Sequence, residues 1–248
     1  MHRKFLTGLL AAAALSLPAP AAVAGDPPVV VELFTSQGCS SCPPADALIG
    51  ELAMSGGIIA LSYHVDIWDT EAFRDPLSNP EFTLRQRDYQ KRLGAGYVFT
   101  PQAMINGRTS LVASRKSEMM AAIAQGRADL AAGPSLDLTL EGENLTLRIG
   151  AAGPGQTGAA KVWLLRILSA TTVDIAGGEN KGRTITYAHV VREMAPWGDW
   201  TGAEMTLTAP RKGSVDGPID TYAVLLQDGS DGPIHGAALL RMTATAGN

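Results

Sequence analysis

The sequence predicts an α/β unit followed by an antiparallel β region, and three observations carry that expectation. The β-branched run Val29 to Phe34 has the character of a strand covered on both faces. Helical patterns and further apolar runs alternate after it up to about Ala132. From Ser135 onward the hydrophobic period changes to two. The expected division is a cleavable leader over 1–24, an α/β unit over 25–133 and a β region over 134–248.

The elements follow in order. After the first strand and two cysteines, Ala45, Leu48 and Leu52 form the stripe of a helix from about Pro43 to Met54, ended by Gly56-Gly57. Ile58 to Tyr63 reads as the second strand, and its short spacing through a helix implies a right-handed β-α-β unit. The polar stretch Asp66 to Asn79, with Trp68, Phe73 and Pro76, is long for a connection and reads as a functional lid or an insertion. Asn79 as cap and Pro80 at the first helical position start another helix, with Phe82, Tyr89 and Leu93 inward. Its other face carries Arg85, Arg87, Lys91 and Arg92 and reads as solvated surface. Gln102 to Ile105, the Asn106-Gly107 turn and Leu111-Val112 form a hairpin. A last helix, capped by Ser114, runs to about Leu130.

Beyond Ser135, Leu136/Leu138/Leu140 and Leu145/Leu147/Ile149 alternate across a turn at Gly142. Further strand-like runs lie near 161–168, 183–194, 203–208, 221–227 and 235–243. Seven short strands with Gly/Pro punctuation suggest an antiparallel β-sandwich.

Composition bounds the function. With 46% hydrophobic residues among 248, the chain builds a sizeable core, which excludes a disordered tail or fibrous repeat. Twenty Lys+Arg against 24 Asp+Glu leave no basic footprint for nucleic acid or acidic lipid. His2, Arg3 and Lys4, the apolar run Phe5 to Leu17 and Ala22-Val23-Ala24 read as a secretory signal. The expectation is an exported protein without membrane attachment after cleavage, periplasmic in a bacterial cell.

The only cysteines stand as Cys39-Ser40-Ser41-Cys42 between the buried strand and the first helix. As a structural staple such a ring is weak: loop entropy gives about 2 kcal/mol for four residues against about 4.7 for a hundred. As a redox dithiol it is well placed, because a helix start stabilises a thiolate. Cys39 would attack, and Cys42 would resolve the mixed disulfide. The exchange needs no bound organic cofactor, and its partner is a protein or small thiol or disulfide.

CxxC inside β-α-β, followed by Thr100-Pro101 ahead of a strand and hairpin, resembles the thioredoxin superfamily. The resemblance implies that Pro101 is cis and faces the dithiol, and that Thr100 pairs with the substrate backbone. It also implies that Glu32 accepts the proton of Cys42, although Glu32 lies seven residues before Cys39, one more than the usual spacing. The alternative places Glu32 on the exposed side of its strand. Pro43-Pro44 departs from the superfamily pattern and biases Cys42 away from helical angles.

Over about Pro28 to Arg241, the chain is similar to a secreted bacterial family, domain-of-unknown-function family twelve twenty-three. The likeness rests on Glu32 through Asp46, on Tyr63-His-Val-Asp66 and on Phe99-Thr-Pro-Gln102. It continues through Gly178-Glu-Asn-Lys-Gly-Arg183 and His189-Val-Val-Arg192. It implies a thioredoxin-like fold with a β extension.

His64, Asp66, Trp68 and Asp69 follow the second strand and are expected to border Cys39. With Cys39 and Cys42, His64 would suit Cu(I), which makes copper delivery one alternative function. A redox-inactive partner-binding module is the other. Gly178 to Arg183 reads as a hairpin turn.

Overall fold

The computed structural model describes residues 27–130, 133–153 and 158–242; the expected leader lies outside them. Strand β1 (Val29–Thr35) is followed by α1 (Pro43–Ala53), β2 (Ile58–His64), α2 (Pro80–Arg92), β3 (Gln102–Ile105), β4 (Thr109–Val112) and α3 (Lys116–Asp129). Next come β5 (Leu136–Glu141), β6 (Asn144–Ile149), β7 (Ala160–Asp174), β8 (Thr184–Trp200), β9 (Met205–Pro210), β10 (Thr221–Gln227) and β11 (Ile234–Arg241). Among the described residues no helix is long and apolar enough to cross a membrane.

Eight strands form one mixed, mostly antiparallel sheet in the order β11-β10-β7-β8-β2-β1-β3-β4. β1 pairs with β2, and β2 with β8, in parallel. Every residue of β1 is buried, as its apolar run requires. Val29, Val31 and Leu33 pack with Leu48, Ile49 and Leu52 of α1 and with Met119 and Ile123 of α3. Val30 and Phe34 point the other way, into a cluster with Phe82 and Tyr89 of α2. This alternation decides which side of the sheet each functional side chain occupies.

All seven expected C-terminal strands form, with a different partition. Four of them extend the central sheet, and only β5, β6 and β9 form a separate three-stranded sheet. Leu145, Leu147 and Ile149 of that sheet pack on Val162, Leu164, Val224 and Leu226 of β7 and β10. β7 and β8 reach 15 and 17 residues because the polar stretch around Ser169 to Thr172 continues the ladder by backbone pairing. Their hairpin projects past β2 toward the cysteines.

Three local expectations are corrected. Helix α3 starts at Lys116 with Arg115 at the cap and no side-chain capping bond, so Ser114 does not cap it. Leu93 ends α2 with 37% exposure and is not part of its inner stripe. Arg85 leaves the expected solvated face and is buried against Glu32.

Candidate functional site

Cys39 and Cys42 form a disulfide with Cα atoms 5.5 Å apart, at the junction of β1 and α1. Neither cysteine is exposed. Cys42 adopts helical angles, φ −77° and ψ −37°, against the bias expected from Pro43. The amides of Ala45 and Asp46 donate to the Cys42 carbonyl at 2.8 and 3.1 Å and hold it as the first turn of the helix. The two prolines also remove two amide donors from the helix start, so its pull on a thiolate is weaker than usual.

The Thr100–Pro101 peptide is cis. It lies against the dithiol through Ser41, whose Oγ is 3.3 Å from Cys39 Sγ and donates to the Thr100 carbonyl at 3.4 Å. Trp68 Nε1 donates to Thr100 Oγ1 at 2.8 Å, and Trp68 also packs on Gly38. Cys39, Cys42, Thr100, Pro101 and Trp68 thus come together. Phe99, just before Thr100, belongs to a separate groove of about 480 Å³ between the end of α2, β4 and the start of α3, lined also by Tyr97, Leu111, Val112, Arg115 and Glu118.

Glu32 does not join them. It sits on the α2 side of β1, where Arg85 Nε and the Tyr89 hydroxyl donate to its two oxygens at 2.9 and 2.6 Å. On a strand, one additional residue turns a side chain to the opposite face, so the seven-residue spacing removes Glu32 from the cysteines. The expected proton acceptor for Cys42 is therefore not Glu32. Both of its oxygens are engaged, and the group is fully buried.

The acid on the dithiol's side is Asp46, one helical turn after Cys42 and 3% exposed. Burial pushes its pKa up to about 7, against the lowering effects of the Thr35 hydrogen bond and of His64. Thr35 Oγ1 donates to Oδ1 at 2.7 Å, while Oδ2 is buried with no hydrogen-bond partner. In the structure Asp46 shares the buried stripe of α1 with Ile49 and Ala53, where a charge is out of place, although in the sequence it reads as an ordinary first-turn acid.

His64 is fully buried, and its Nδ1 lies 2.7 Å from Asp75 Oδ2. Asp75 also accepts from the Gln37 amide at 2.9 Å, tying the stretch after β2 to the loop 36–42 that carries the cysteines. Burial works to raise the Asp75 pKa, but His64 and the amides of Gln37 and Leu77 hold it below its ordinary value. Tyr187 of β8 packs edge-on against the His64 ring at 4.7 Å, and burial raises its pKa further above an ordinary phenol. Among the described residues no group of three or more His, Cys, Asp or Glu side chains is placed to hold a metal. The set Cys39, Cys42 and His64 is not gathered into one, since His64 turns to Asp75.

A contact that sequence reasoning treated as a plain turn completes the site. Asn180, at the tip of the β7–β8 hairpin, is 1% exposed, and its Nδ2 donates to the carbonyls of Gln37 and Cys39 at 3.0 and 2.7 Å. Neighbouring Glu179 accepts from the Ser40 amide at 2.9 Å. Those Ser40 bonds lower the Glu179 pKa, which keeps a negative charge beside the dithiol. His189 lies elsewhere, with Nδ1 2.8 Å from the Ala60 carbonyl, and burial lowers its pKa.

Comparison with known proteins agrees with the fold. The chain is similar to a protein of Agrobacterium tumefaciens of known crystal structure, at 31% identity and TM-score 0.74, over 89% of this chain and 96% of that one. It shares its fold with HBP35 of Porphyromonas gingivalis, at 12% identity and TM-score 0.59, over 90% of this chain and 78% of that one. No curated protein matches. The family model described as "Protein of unknown function (DUF1223)" matches residues 30–227, and the chain belongs to that family.

Proposed function

We propose that this chain is a thioredoxin-like, exported protein that exchanges disulfides through Cys39–Cys42. One observation carries the reading: a disulfide-bonded CxxC at a helix start lies against a cis Thr100–Pro101 through Ser41. In this reading residues 25–133 carry the chemistry, 134–248 supply a β extension that reaches back to cover it, and 1–24 direct export to the periplasm. The partner is a protein or small thiol or disulfide.

From the disulfide state, a partner thiolate attacks Cys39 Sγ, forming a mixed disulfide and expelling Cys42 as a thiolate. Asp46, protonated near neutral pH, supplies a proton to that thiolate. The partner's second thiolate then attacks the mixed disulfide and releases Cys39. The partner's two thiols shed their protons as they ionise to attack; one proton is taken up by the released Cys39 thiolate and the other restores Asp46, so the chain gains two electrons and two protons and the partner leaves as a disulfide.

Cys39→Ser is expected to abolish exchange with a dithiol peptide, with an unchanged circular dichroism spectrum. Cys42→Ser, made as a free Cys39 thiol, is expected to trap a mixed disulfide with the partner. Exchange surviving in Cys39→Ser would rule the reading out.

The burial of both sulfurs favours a second reading, in which the bridge is inert and the fold is a partner-binding module.

A further inference from the structure

Both cysteines are fully buried, yet neither belongs to the hydrophobic clusters that pack the sheets. The cover has two parts. Trp68 closes one side of the redox loop, where a Cβ on Gly38 would meet Trp68 Cβ at 2.8 Å. The tip of the β7–β8 hairpin closes the other.

The tip grips the redox loop by its backbone. Asn180 Nδ2 donates to two of the loop's carbonyls, Glu179 N–H donates to the Gly38 carbonyl at 3.4 Å, and Ser40 N–H donates to the Glu179 carboxylate. Arg183 Nη1 donates to Asn180 Oδ1 at 2.9 Å, which fixes the amide in its gripping orientation. Gly178, at φ +70°, makes the approach possible: a Cβ there would lie 2.8 Å from Gly38 Cα and 3.0 Å from the Phe73 ring.

At its base the loop buries Ile175 and packs Gly177 and Gly178 on Phe73, but beyond that its hold is polar. Glu179, Lys181, Gly182 and Arg183 are all exposed, and Asn180 is the buried residue among them. Beyond its apolar base, a hairpin end held mainly by polar contacts belongs to the low-stability end of local opening. The contacts it makes, to loop carbonyls and a loop amide, are also those an incoming peptide backbone would use.

We infer that the β7–β8 tip is the specificity-determining cover of the dithiol, with Asn180 as its latch, and that a partner reaches Cys39 only by displacing it. The inference rests on the exchange reading for its biological purpose, but the cover itself is tested without a partner. In the probe reaction dithiothreitol is oxidised to its cyclic disulfide, and Cys39 and Cys42 each gain one electron and one proton.

The experiment compares the rate of disulfide reduction by a fixed, sub-saturating concentration of dithiothreitol in the full chain and in three variants. Asn180→Ala removes two hydrogen bonds from the closed state and is expected to react about tenfold faster. Gly178→Ala, which pushes the tip off Gly38, is expected to react faster as well. Glu179→Gln, at an exposed position, supplies the reading if either of these fails to fold. Arg85→Ala, which loosens the structure on the other side of the sheet, is expected to stay within about twofold of the parent, so that general destabilisation is separated from release of the tip.

Rates for folded tip variants within twofold of the parent would overturn the cover, even if the chain has an exchange-range reduction potential. The converse failure looks different: accelerated reduction in Asn180→Ala with a potential too low for exchange would keep the cover and remove the exchange reading.

Discussion

Arg85→Ala is expected to lower the unfolding free energy by about 3–5 kcal/mol, the cost of leaving one member of a buried ion pair without its partner. Arg85 and Glu32 are 2.8 Å apart with side-chain exposures of 6% and 0%. The pair is embedded in a closed network. Tyr89 hydroxyl donates to Glu32 and accepts from Arg85 and Gln227, and Arg85 also donates to Gln227 Oε1 and the Ser230 carbonyl. Burial alone would make the guanidinium easier to deprotonate, but Glu32 and the neighbouring tyrosines raise its pKa instead. These bonds join β1, α2 and the turn after β10, so their loss loosens one of several contacts between the α/β unit and the β region. The double variant Glu32→Met with Arg85→Met is expected to be more stable than Arg85→Ala, because no charge is then stranded. Denaturant unfolding followed by circular dichroism measures both. A loss below about 1 kcal/mol in Arg85→Ala would show that water reaches Glu32 and that the network is not closed.

Asp46→Asn is expected to change how stability depends on pH. The folded-state pKa of Asp46 is about 7 against 3.8 for the free group, so between those values the native state binds more protons than the unfolded chain. Its contribution is therefore present at low pH and is lost as pH rises from about 4 to about 7. At about 1.4 kcal/mol per pH unit, the loss reaches about 4 kcal/mol. Relative to Asp46→Asn, the wild type should lose that amount between pH 4 and pH 8. Asp75 acts in the opposite sense, losing its contribution as pH falls, and both proteins retain it. The same substitution is expected to flatten the pH profile of disulfide exchange near neutrality, which a purely packing role would not do. Parallel stability profiles for the two proteins would show that Asp46 is ionised throughout this range.

Much of the fold is legible in the sequence because period and punctuation state it directly. The order β-α-β-α-β-β-α up to Asp129 follows from apolar runs, Asn79-Pro80 and Asn106-Gly107. Sheet membership is not legible. The β2–β8 pairing brings Ser62 beside Val190 across 128 residues, and nothing local marks it. The cysteines and Thr100–Pro101 are visible as a motif, and the structure brings them together. Glu32 was misplaced because its acid character matched the expected role while its register did not. Asp46 and Asn180 escaped for opposite reasons: one is an acid that looks like an ordinary first-turn residue, the other a turn residue whose partner lies 141 positions away.

The measurement that bears most directly on the exchange reading is the reduction potential of Cys39–Cys42, by equilibrating the protein with defined thiol buffers and counting free thiols. The exchange reading predicts a reversible two-electron transition between about −120 and −270 mV. A potential below about −300 mV would contradict it, identifying the bridge as inert.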